Sequence, residues 1–255
     1  MLADMLPLDP WPAADLLAFD METTGVDRFS DVPVSFTLVV VRRGTVVWER
    51  SSVVDPGRDI PSGATAVHGI TTERARAEGI SLRAAVRDMA GTLLRASRQQ
   101  MPIVGMKLDF DLTMLDACYR GCTGRGLCEE GFAGPVLDVL VLDRHFDRYR
   151  RGRRTLGDLC AEYGVRIDHA HDARSDALAA VGVFAEMSRR YRVMHEMTPE
   201  TLHRAQVGWH REWVTSFSSW RTARGMAPLD ERDAVWPISP SEPAPAAEDR
   251  LADAI

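Results

Sequence analysis

The chain is 255 residues long, 45% hydrophobic and 27% charged, a composition suited to a globular protein with one domain and an extension. Charges interrupt every apolar stretch well before the roughly 20 residues that a membrane span requires. The net charge of −6 argues against a tight, uniformly basic nucleic-acid binder, but it suits an enzyme that must release a polyanionic product.

Residues 16–19 are a short apolar run that ends in acidic and turn residues, as a buried strand would. Stretches 34–42 and 45–54 are rich in Val and Thr and flank Arg43-Gly44, which predicts a hairpin. Residues 56–69 are loop-like. Leu82, Val86, Met89 and Leu93 fall at helical spacing within 81–96. A strand is expected over 102–105, and a helix over 109–119 with Leu112, Leu115 and Tyr119 on one face. Residues 136–139 read as a final strand, followed by helical segments near 140–149, 155–163 and 173–190. Strands in a meander followed by strands alternating with helices predict an α/β domain over residues 1–192, with a mixed five-stranded sheet flanked by helices.

A further amphipathic helix is expected within 193–227, capped by Thr198 and with Pro199 in its first turn. Trp209, Trp213, Phe217 and Trp220 fall at spacings of four, four and three along it. Such a stripe needs a partner, and the chain's own domain is the expected one. The other partners considered are a second copy and a DNA polymerase or repair protein. Residues 228–255 turn to Pro, Ala, Ser and acids, and they are expected to be disordered. The start of the chain, residues 1–15, has no basic residue ahead of its short apolar runs, so it does not read as a secretory leader. A cytoplasmic location and no membrane contact are therefore expected. Cys118, Cys122, Cys128 and Cys160 lack paired Cys-x-x-Cys spacing and read as free thiols.

The acids carry the chemistry. Asp20 and Glu22 lie two apart at a strand end, so their side chains project to one side. Such a pair repels and resists burial unless a cation relieves it, and all-oxygen ligation suits Mg²⁺ or Mn²⁺. Asp111 opens the helix after the fourth strand, where an N-cap role is the alternative. Asp176 lies on a helix whose apolar stripe includes Ala177, Val181 and Phe184, and His171 precedes it in a loop. An imidazole there, with an unperturbed pKa of about 6.5, suits proton abstraction near neutral pH. His169 is a nearby competitor for that role. Phosphodiester hydrolysis needs a nucleophile, charge relief on the phosphoryl oxygens and stabilisation of the leaving oxygen, all of which a pair of divalent cations supplies.

Phe19-Asp20-Met21-Glu22-Thr23-Thr24-Gly25, Val67-His68-Gly69-Ile70-Thr71, Phe110-Asp111, and His171 followed by Asp176 occur in that order. The ordered set resembles the DEDDh 3′–5′ exonucleases, the family that includes proofreading epsilon subunits of bacterial replicative polymerases. The resemblance covers about residues 15–190 and implies a ribonuclease-H-like fold. It implies that Asp20, Glu22 and Asp176 hold one divalent cation, that Asp20 bridges to a second supported by Asp111, and that His171 is the general base. It also implies substrate contacts at Thr23, Thr24, His68 and Phe110. The expected substrate is the 3′ end of DNA, with RNA trimming and a non-catalytic nucleic-acid-binding scaffold as alternatives. One departure stands out: where members commonly carry His-Asn before Phe-Asp, this chain has Met106 and Lys107. Lys107 is expected to meet a substrate phosphate. Arg148, Arg150, Arg151, Arg153 and Arg154 form a basic loop that reads as a solvated face or as a phosphate contact.

Overall fold

A computed structural model describes residues 15–167 and 172–241. Strand β1 (Leu16–Thr23) lies at the centre of the sheet, antiparallel to β2 (Pro33–Arg42), which pairs in turn with β3 (Thr45–Asp55). Two short helices follow, α1 (Ser62–His68), where the sequence reads as loop, and α2 (Thr72–Glu78). Each has only seven residues, too few for an apolar stripe to show a period. A two-residue strand, β4 (Ile80–Ser81), pairs parallel to the end of β3 and leads into α3 (Leu82–Arg98). On the other side of β1 lie β5 (Ile103–Gly105) and β6 (Val136–Asp138), both parallel to it in turn, with α4 (Leu108–Thr123) between them. The sheet therefore has six strands in the order β4-β3-β2-β1-β5-β6, not the expected five. The extra strand is too short to leave a pattern.

Alternation along β1 divides the interior into two layers. Leu17, Phe19 and Met21 face α3 and α4, with Val86, Met89, Leu93, Leu112 and Leu115 beneath them. Leu16 and Ala18 face the opposite side, where α7 (Ala173–Arg190) lays Ala177, Val181 and Phe184 across the sheet. Phe19 and Phe184 are both fully buried, each contributing about 1.5–3 kcal/mol relative to exposure. Helices α5 (Val139–Phe146) and α6 (Leu156–Tyr163) complete the second layer.

Helix α8 (Pro199–Thr222) begins as expected, with the Thr198 hydroxyl accepting the Thr201 N–H. Its buried stripe is Leu202, Gln206, His210 and Val214, however, and the aromatic stripe is only half-buried, with Trp220 exposed. Part of the segment expected to be disordered is ordered. Residues 231–234 form a 3-10 turn, Trp236 is 4% exposed within the first layer, and the Ser239 N–H donates to the Thr113 hydroxyl at 2.9 Å. One buried Trp and a few backbone bonds hold a stretch whose average composition is polar. Residues 242–255 lie outside the described residues. Among the described residues no helix is long and apolar enough to cross a membrane.

Candidate active site

The face of β1 that carries Leu16 and Ala18 continues to Asp20 and Glu22, so the strand's pleat aims both carboxylates at α7. Asp176 sits in the first turn of α7, whose start is fixed by Asp172: its carboxylate accepts the Ser175 N–H at 3.1 Å. Asp20, Glu22 and Asp176 thereby bring one ligand atom each within 4.8 Å of the others. Asp111 enters from the opposite side. It is 5% exposed in the first turn of α4, and its charge is the strongest carboxylate influence on Asp20.

Burial, and then repulsion from Asp111, Asp176 and Glu22, push the Asp20 carboxyl well above its ordinary range. Burial followed by Asp176 and Asp172 raises Glu22 to about 7. Asp111 is likewise raised by burial and by Asp109, with the Lys107 ammonium pulling the other way. Four converging acids whose charges penalise one another form a donor set for hard divalent cations, which remove the penalty by ligation. Asp20, Glu22 and Asp176 are disposed to hold a divalent cation.

Two acids position this set. The Asp138 carboxylate accepts the N–H groups of Lys107 at 3.0 Å and Leu108 at 2.8 Å, which fixes the start of α4, and that of Leu140 at 2.8 Å, which caps α5. Its own N–H donates to the Gln206 side chain on α8 at 2.9 Å. The sequence signal for this role is modest: an Asp between a strand and a helix. Asp109 pairs with Arg28 at 3.5 Å, and Arg28 also binds Asp233 from the C-terminal segment. Partners this distant in the chain leave no local pattern. At Gly105 a side chain has no room, because a Cβ would lie 2.7 Å from the Phe19 carbonyl and 2.6 Å from the Leu108 side chain.

The remaining candidates are spread around the acids. Thr24 is buried and its hydroxyl donates to Asp31 at 2.7 Å, while its N–H donates to the Val32 carbonyl. The Thr23 hydroxyl donates to the Gly25 carbonyl at 2.7 Å, so both threonines shape the turn after β1. His68 ends α1 and lines a cavity of about 320 Å³ beside Glu22, together with Arg74, Asp172 and Arg174. Lys107 is exposed, with a left-handed backbone (φ 59°), and its Nζ lies 4.9 Å from the centroid of the half-buried Phe110 ring. His171 and its competitor His169 lie outside the described residues. In the basic loop, Arg150 and Arg154 are committed to the buried carboxylate of Asp143, which the Tyr163 hydroxyl also reaches at 2.8 Å. All four cysteines are free, and burial pushes the Cys118 and Cys160 thiols up to about 11.

The model of the RNase_T exonuclease family matches residues 17–184. The chain is 25% identical over 186 residues to the PolC-type DNA polymerase III of Lacticaseibacillus paracasei, covering 73% of this chain and 12% of that protein. It is 27% identical over 168 residues to the PolC-type enzyme of Streptococcus suis, covering 65% and 10%. Among solved structures, Escherichia coli Exonuclease I in complex with a dT13 oligonucleotide superposes with a TM-score of 0.59 at 18% identity, covering 72% of this chain and 43% of that one. Exonuclease I from Methylocaldum szegediense gives 0.56 at 18% identity, covering 82% and 46%. The chain thus spans about a tenth of the length of these curated relatives and less than half of these solved ones. With its acids on the ribonuclease-H-like sheet and the family matched over most of its length, the chain belongs to the RNase_T exonuclease family, among the DEDDh-type 3′–5′ exonucleases.

Proposed function

We propose that this protein removes 5′-mononucleotides from the 3′ ends of DNA, in proofreading or repair, with two divalent cations, Mg²⁺ or Mn²⁺, held by Asp20, Glu22, Asp111 and Asp176. The observation that carries the reading is the convergence of Asp20, Glu22 and Asp176 within 4.8 Å, with buried Asp111 beside Asp20. Asp20 feels the charge of Asp111 as well as those of Glu22 and Asp176, which supports its sharing by both cations. When bound, the cations supply a water acidic enough to attack at neutral pH and offset charge on the phosphoryl and leaving oxygens. The carboxylates hold and orient that charge at the end of β1. His171, four residues before Ser175 in the approach to α7, takes the proton from the attacking water. The cavity between Glu22 and His68 is large enough for the terminal nucleoside, and Lys107 offers an ammonium to a phosphate on the Asp111 side. DNA is the substrate of choice because PolC-type polymerases and Exonuclease I, as named, stand among the relatives.

The test is incubation of the pure protein with end-labelled single-stranded DNA, duplex DNA and RNA, each with Mg²⁺, with Mn²⁺ and with chelator. Stepwise release of 5′-mononucleotides from DNA 3′ ends, abolished by chelator, is expected. Shortening from the 5′ end, or activity that survives chelation, overturns the reading, and preferential loss of RNA transfers it to exoribonuclease action. His171→Ala is expected to lower turnover by about 10²–10⁴-fold with metal affinity retained. A loss confined to metal binding would make His171 a ligand.

A further inference from the structure

Between α5 and α8 lies a second cleft, of about 200 Å³, lined by Arg144, Arg148, Arg154, Trp209 and Trp213 with Glu212 as its one acid. The aromatic stripe of α8 runs out of it as a ladder. Trp213 and Phe217 stack with centroids 5.0 Å apart, and Phe217 and Trp220 with centroids 5.5 Å apart. A guanidinium covers each end, Arg144 at 3.4 Å from Trp213 and Arg224 at 4.1 Å from Trp220. Trp220 is 45% exposed, and Tyr149, next in the chain to Arg148, is 89% exposed. Among the described residues neither Arg148 nor Arg151 has an acidic partner, and both are exposed. In a chain of net charge −6, this face carries an excess of Arg interleaved with aromatic rings.

The cleft lies on the same side of the molecule as the start of α4, to which Arg144 of its lining is linked electrostatically. Arg144 lies within electrostatic reach of Asp138, at the end of β6, and of Asp109, which shares the first turn of α4 with Asp111. A strand whose 3′ end lies at the acids and whose upstream part leaves on the Asp111 side would therefore meet this face. Trp209 to Trp220 spans about 16 Å along α8, enough for roughly three to five nucleotides of an unpaired strand. Unpaired bases stack on aromatic rings without regard to sequence, and guanidinium groups track their phosphates.

We propose that the α5–α8 cleft and the aromatic ladder are a binding track for single-stranded nucleic acid upstream of the 3′ end being cut. The track rests on the nuclease reading above. Its signature is a gain from substrate length: residues beyond the reacting phosphodiester bind here and lower KM, so a 12-nucleotide single strand is bound about tenfold better than a trinucleotide.

The experiment measures KM and kcat on 3-, 6- and 12-nucleotide single strands for the full chain and for Arg148→Glu, Tyr149→Ser and Trp220→Ala, all exposed positions whose replacement leaves the core intact. Thymidine 5′-p-nitrophenyl phosphate, which has no upstream strand, reports on the metal site of the parent protein. Expected is a KM that falls with length in the parent, with at least two of the three variants losing most of that gain, and a smaller salt slope in Arg148→Glu. A length gain that all three variants retain overturns the track, as does a length-independent KM in the parent, which would leave the ladder to a protein partner. If the parent hydrolyses neither the ester nor any strand, the nuclease reading falls first and the track with it.

Discussion

The Asp138 carboxylate holds the Leu108 N–H at 2.8 Å, so the last strand of the sheet sets where the helix of Asp111 begins. Replacing Asp138 by Ala leaves the N–H groups of Lys107 and Leu108 without that acceptor. The expected cost is about 2–5 kcal/mol in urea unfolding, with a fall in turnover as Asp111 shifts. Asp138→Asn, which keeps one acceptor oxygen, should lose less of both. Wild-type stability in the Ala variant would mean that α4 starts correctly without the clamp.

Removing a carboxylate from the cluster should abolish hydrolysis without unfolding the protein. Asp20→Ala or Asp176→Ala takes away a ligand and also a source of repulsion, so the metal-free melting temperature should hold or rise. Calorimetry in chelator and a turnover assay in Mn²⁺ read the two effects separately. Full activity in either variant would dismiss the metal assignment.

The pH dependence of the metal-free protein follows from the raised acids. Glu22 titrates at about 7 when folded against 4.5 in its ordinary state, so the folded chain binds the extra proton between those values. Its contribution is therefore most favourable below pH 4.5 and is lost as pH rises through about 7. Burial holds His203 and His210 below their ordinary value, and their effect runs the other way, stability being lost as pH falls through about 6.5. Comparison with Glu22→Gln isolates the acid. In chelator, the variant and the parent should melt alike at pH 4.5, and the variant should melt higher at pH 8. Mg²⁺ or Mn²⁺ should raise the parent's melting temperature more at pH 8 than at pH 5.

Every carboxylate and histidine assigned to catalysis precedes residue 192, and from the sequence alone a truncation there should remain active. The contacts of the extension argue for a different outcome. Gln206 holds the Asp138 N–H, and Asp233 holds Arg28 against Asp109, so residues 193–241 support the start of α4. Cutting after residue 192 should leave a chain that is soluble only with difficulty and has little activity. Trp236→Ala should by itself cost about 3–5 kcal/mol, because its indole fills the first layer of the core. A fully active truncated protein would show that these contacts serve only the extension.

Lys107→Ala is expected to raise KM with little change in kcat and to flatten the salt dependence of binding, as the loss of one phosphate contact would. Its backbone conformation adds a second expectation. Asn tolerates the left-handed region better than Lys, so Lys107→Asn should stabilise the fold slightly while losing the same contact. Unchanged KM and salt slope in both variants would make Lys107 a solvated surface residue.

The acids were legible in the sequence as an ordered set of motifs, each lying at an element boundary, and the structure brings Asp20, Glu22 and Asp176 together. Asp20 and Glu22 end an apolar run, Asp111 opens a helix, and Asp176 follows a capping Asp172. Helix α8 was equally plain from Thr198 and Pro199, yet which face it buries was not. Gln206 and His210 pack inward because their polar groups find the Asp138 N–H and the Asp233 carbonyl, which no hydrophobicity pattern reveals. The 228–241 segment was misread for a related reason: composition averages over a window, while order there hangs on Trp236, Asp233 and Ser239 individually. Strand β4 and helices α1 and α2 were too short to show a period at all.

Gly105 occupies a tight point between the strand that carries Asp20 and the turn that opens the helix of Asp111. Nothing but hydrogen fits between the Phe19 carbonyl and Leu108 there. Each added heavy atom must push against the Phe19 backbone carbonyl and the Leu108 side chain, so a series from Gly to Ala to Ser to Val at this position would act as a ruler. It would report how far two carboxylates that never touch residue 105 can separate before hydrolysis stops.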